Sequence, residues 1–148
     1  MTTSPTISRP RRLTDFLAQP PAPFAWAAAN CCHWAAAWVA QATGADPMAG
    51  LPETATAAAA RRLVKRLGGD LRAAWSKQLG REPIAPLLAQ LGDVVLVQLS
   101  PEQQLEEGVG ELVGICAGAL IAVATAQGHV AYLPLSAGVC AWRLEAQA

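Results

Sequence analysis

The chain has 148 residues, enough for one domain with a sizeable core. Its 11 Lys and Arg balance its 11 Asp and Glu, and the pI near 6.7 leaves no basic surplus to hold a phosphate backbone, which argues against nucleic acid as a partner. Hydrophobic residues make up 53% and charged residues 15%, a balance that predicts extra burial against other proteins.

The opening MTTSPTISRPRRL has basic residues but no apolar stretch behind them, so no secretory signal peptide is expected. Residues 1–12 read as a flexible arm and residues 13–148 as a single domain. A short helix is expected over residues 11–18, with Leu13, Phe16 and Leu17 on one side, ended by Pro20, Pro21 and Pro23. In FAWAAANCCHWAAAWVAQATGADP, Asn30 is a good N-cap and Gly44 a good C-terminal stop for a helix over residues 31–43. Cys31, Trp34, Ala35, Trp38, Val39 and Ala42 share one face of that helix, and Cys32, Ala36, Ala37 and Ala40 make the rest small or apolar. Such a helix is central and buried.

Further helices are expected over residues 53–67, ending in a basic turn before Gly68-Gly69, and over residues 71–79, stopped by Gly80. A proline-marked connection follows. GDVVLVQL, residues 92–99, reads as the first strand, SPEQQLEEGVG as a polar loop, and LVGICAG, ALIAVATA, HVAYLPL and GVCAWRL as four more short strands. Helices first and strands after predict an α+β fold, with helices packed on an antiparallel sheet of about five strands. The longest apolar run, residues 112–126, is broken by glycines and falls short of the roughly 20 residues of a membrane span, so none is expected.

Cys31 is the leading chemical candidate. At the first turn of a helix, unpaired N–H groups and the helix dipole lower a thiol pKa, as a nucleophile requires. Cys32 and His33 adjoin it in sequence but point elsewhere on a helix, so they are expected to be packing and surface residues. His129 opens a predicted strand and is the candidate general base. Asp93 is expected to hold a turn. Four cysteines without a signal peptide argue for thiols. Metal binding through Cys31, Cys32, Cys116 and Cys140 is the alternative, but their spacing does not match a structural zinc site, and no metal or cofactor is expected.

The Cys-bearing stretch, GDVVLV, LVGICAGALIAV and the terminal AWRL together resemble the small NlpC-like proteins encoded among phage and prophage tail genes. The resemblance runs from Leu13 to Leu144. It implies a papain-like cysteine peptidase fold, with Cys31 matching the nucleophile and Gly92-Asp93 the start of the first strand. In that family's wider superfamily, which cuts peptidoglycan stem peptides, the catalytic histidine opens the next strand. Here Leu112 stands at that position, Ala122 near the third, polar one, Asn30 replaces the usual Asp, and Ala27 a usual Gly. The resemblance therefore implies a degenerate, inactive peptidase serving as a phage tail component. It would be made in the bacterial cytoplasm, carried in the virion tail, and partnered by other tail proteins. A second register takes HVAYLPL as the histidine strand and implies an active peptidoglycan peptidase using Cys31 and His129.

Overall fold

The computed structural model describes residues 8–21, 31–107 and 109–144. It is an α+β fold with a five-stranded antiparallel sheet. The helices are α1 (Arg9–Ala18), α2 (Cys31–Thr43), α3 (Ala57–Arg66), α4 (Leu71–Leu79) and α5 (Pro101–Glu107), and the strands are β1 (Val94–Gln98), β2 (Glu111–Cys116), β3 (Leu120–Ala124), β4 (Val130–Pro134) and β5 (Gly138–Trp142). The strands lie in the order β4-β3-β2-β1-β5.

Local chemistry sets most of the boundaries. Ser8 caps α1 by accepting from the Arg11 amide, and Pro10 fits the first turn, where no N–H is needed. The helix thus begins at Arg9, two residues before the expected start at Arg11. Thr56 caps α3 and Asp70 caps α4 in the same way. The first of these delays α3 to Ala57, four residues later than expected. Gly80 ends α4 in the left-handed conformation, φ 67°. The expected cap Asn30, and Ala27, lie outside the described residues. The stretch read as a polar loop after β1 is instead α5. Ser100 and Gln103 exchange side-chain-to-backbone hydrogen bonds of 2.9 and 3.2 Å across its first turn, a capping box that starts a helix.

Strand alternation divides the core in two. Val94, Leu96, Val113, Ile115, Cys140 and Trp142 face the helices and pack with Leu13 and Phe16 of α1, Trp38 and Val39 of α2 and Trp75 of α4. Val95, Val97, Leu112, Cys116, Ile121 and Val123 face the other way, under Ile84, Val109, Leu135 and other loop residues. Central β1 is therefore buried on both faces, as its unbroken Val-Val-Leu-Val implies. Trp75 and Trp142 are 5% and 0% exposed, and their rings pack on each other with centroids 6.3 Å apart. Both are core residues. Among the described residues, no helix is long and apolar enough to cross a membrane.

Asp93 is fully buried, and its carboxylate accepts from the Gln90 amide at 2.8 Å and the Leu144 amide at 3.0 Å. The structural role expected of it is the one it has. Asp93→Ala leaves two amides without their charged acceptor and should destabilise the fold by about 3 kcal/mol, read as a lowered urea midpoint. Asp93→Asn, which keeps one good acceptor, should cost less.

Candidate functional site

The site forms where the start of α2 meets the sheet. On β2, the Gly110 carbonyl and the Cys116 amide bond toward β1. The even-numbered residues of β2 thus serve β1, and the odd-numbered ones point toward β3. Ile115 finds Ala122 there, but the β2–β3 pairing stops at that point. Val113, the next odd residue, has an N–H beyond the end of the ladder. The Val113 amide is among the groups that lower the thiol of Cys31, the first residue of α2.

Gly114 shows how tightly the strands converge just before they part. A Cβ at this position would stand 2.6 Å from the Ala122 carbonyl oxygen and 2.8 Å from Ile121 Cγ2. Only glycine lets β3 approach this closely.

Cys31 is half-buried and packs against the sheet's outer cluster, which includes Leu112 and Val123. Its thiol is pulled below the ordinary thiol range. The largest cause is a hydrogen bond from the Cys32 thiol, and the amides of Val113, Cys32 and Cys31 add to it against the opposing effect of burial. Cys32 moves the other way, well above the ordinary range, because it donates to Cys31, is desolvated and faces the neighbouring sulfur's charge. The two adjacent thiols therefore act as a pair. This corrects the expectation that Cys32 is only packing: one residue along the helix its side chain points inward, but its sulfur still reaches back to its neighbour. Cys32 also lines an apolar cavity of about 60 Å³ between α2, α3 and α4, with Leu63, Leu71 and Trp75 among its walls.

The structure brings Cys31 to β2 and places Leu112 in the same cluster. His129 lies elsewhere, exposed on the turn that joins β3 to β4, where its backbone exchanges hydrogen bonds with Thr125. It is not among the groups that shift the Cys31 thiol. Ala122, at the third position, is fully buried. His33 is half-buried on α2. Cys140 belongs to the helix-facing cluster and Cys116 to the opposite one, so the sheet separates them and a four-cysteine site is not assembled. Among the described residues, no group of three or more His, Cys, Asp or Glu is placed to hold a metal ion. The Val113 amide was not legible as part of the site, because the break in the β2–β3 ladder has no sequence mark beyond Gly114.

Fold and site together define an α+β protein in which a helix-initial pair of cysteines, Cys31 and Cys32, packs against the two sides of the core. Over residues 7–144 the chain matches the family described as a domain of unknown function, DUF6950, and it belongs to that family. No curated protein and no solved structure matches it.

The paired thiols predict an order of reactivity. Limiting iodoacetamide near neutral pH should alkylate Cys31 before Cys32, because only the thiolate reacts. Cys32→Ala removes the donor that most lowers Cys31 and should move the pH midpoint of Cys31 alkylation upward. Peptide mapping of the labelled protein reads both, and labelling of Cys32 first would contradict the arrangement.

Proposed function

We propose that the chain is a phage tail component, a tail-tip or tail-assembly protein, built on an NlpC-like cysteine peptidase fold that has lost its catalytic base. One observation carries the loss of activity. Cys31, the residue matching the family nucleophile, packs against the apolar cluster that contains Leu112, the residue matching the base, and Leu112 is 3% exposed. Leucine takes no proton. General-base assistance contributes ~10²–10⁴-fold to such chemistry, so a thiol without it has little remaining power to cleave peptides. The tail context comes from the resemblance of the Cys-bearing helix and the strands to tail-encoded proteins. The implied partners are other tail proteins, with the virion tail as the location.

The lowered Cys31 thiol is the observation that favours a second reading, an active peptidoglycan peptidase with His129 as base. One assay separates the two. Release of soluble peptides from purified sacculi should be no greater for the wild type than for Cys31→Ala. Release that is lost in both Cys31→Ala and His129→Ala would establish the peptidase instead. For the tail assignment, the chain should appear in purified particles from the producing strain, and its consistent absence from them would remove that assignment.

A further inference from the structure

The balanced charge of the chain is unevenly placed. Between residues 57 and 81 the only carboxylate is Asp70, already committed to capping α4. In the same span α3 exposes Arg61, Arg62, Lys65 and Arg66. Between residues 94 and 142 there is no Lys or Arg, and the carboxylates are Glu102, Glu106, Glu107 and Glu111. A neutral protein with separated charge of this kind carries two surfaces that attract each other.

One surface protrudes and the other is hollow. On α5, Glu102, Leu105 and Glu106 fall at i, i+3 and i+4 and form one exposed face, with Leu105 88% exposed. Glu107 points away and accepts from the Ala126 amide at 2.7 Å. On α3, Arg62, Lys65 and Arg66 rim a depression of about 550 Å³ that Leu63 also lines, with Glu53 the one carboxylate among its lining residues. Leu63 also lines the apolar cavity beside Cys32.

We propose that this α3 depression binds the α5 face of a second copy of the chain, with Leu105 seated toward Leu63 and Glu102 and Glu106 against Arg62 and Arg66. A single exposed ion pair is weak, so the affinity needs Leu105 burial and the opposed charge clusters together, and the charges also set orientation and partner. Donor and acceptor faces are different patches of the chain. The contact is therefore head-to-tail and propagates into a ring or an open filament rather than a closed two-fold dimer. The inference does not rest on the tail assignment, since it follows from charge placement and exposure alone.

Sedimentation velocity over a concentration series tests it. The wild-type mass should rise with concentration in one-chain steps at ~0.05 M salt and fall back at ~0.5 M, where exposed charges are screened within a few ångströms. Leu105→Ser should weaken association about tenfold or more. The pairs Arg62→Glu with Arg66→Glu, and Glu102→Arg with Glu106→Arg, should each give monomers. Mixed together they should associate again, through the native contact and through the reversed one, because the acidic α3 face of the first then meets the basic α5 face of the second. Circular dichroism confirms folding, and Arg62→Gln with Arg66→Gln replaces the first pair if reversal disturbs α3. A wild type that stays monomeric overturns the proposal, as does a mixture that fails to pair. Binding of a monomeric wild type to heparin or anionic vesicles would instead assign the basic face to a polyanion.

Discussion

The corner at Gly92 and Asp93 sets the positions of almost everything else. The Trp38 indole donates to the Gly92 carbonyl at 2.8 Å inside the core. The Gly92 amide donates to the Cys116 carbonyl, and the Cys116 amide donates to the Asp93 carbonyl. The Asp93 carboxylate holds the preceding loop at Gln90 and the chain after β5 at Leu144. One turn thus joins α2, β1, β2 and the exit of β5. It needs glycine twice over. The φ of Gly92 is 91°, and a Cβ there would stand 3.2 Å from the Trp38 ring.

That corner also places the thiol. From Trp38 back to Cys31 is seven helical residues, about 10.5 Å of rise. From Cys116 back to Val113 is three strand residues, about 10 Å. The two rises match, so a helix anchored through Trp38 at Gly92, which is itself bonded to Cys116, has the reach to bring Cys31 level with Val113, whose amide is among the groups that lower its thiol. No separate device is needed to aim the sulfur. The contact between Cys31 and the Val113 amide is the far end of a register fixed at the tryptophan.

Much of this could be read in the chain beforehand, and the exceptions have physical causes. The bounds of α2 and α4 follow from their stop signals at Gly44 and Gly80, and five short strands follow from five β-rich runs punctuated by glycine and proline. Asp93 was legible as a turn-holding carboxylate because it directly follows a glycine at a strand start. The missed helix α5 had its signal in plain sight: Ser-Pro-Glu-Gln is a capping box with proline at the first helical position, but the acidic, polar run after it looks like a loop when hydrophobic periodicity is the guide. The start of α3 was misplaced because Glu53 looks like a first-turn acid, whereas Thr56 is the residue that accepts from a helical amide. The Cys31–Cys32 pair was missed for a different reason. Helix geometry separates the directions of successive Cβ atoms, but sulfur is large and at a helix start two neighbouring thiols still meet.

The low thiol pKa at Cys31 has a structural explanation that requires no catalysis. Where β2 parts from β3, the Val113 amide must find an acceptor or remain a costly unpaired group. An amide beside a sulfur favours its anion, so the Val113 amide lowers the Cys31 thiol through packing alone. The Cys32 thiol strengthens the effect by donating to the same sulfur. A perturbed cysteine at a helix start is therefore what this packing produces by itself. What separates an enzyme from a scaffold at this position is the neighbouring group that takes the proton, and in this chain the β2 residue beside the contact is an apolar leucine built into the sheet's second core.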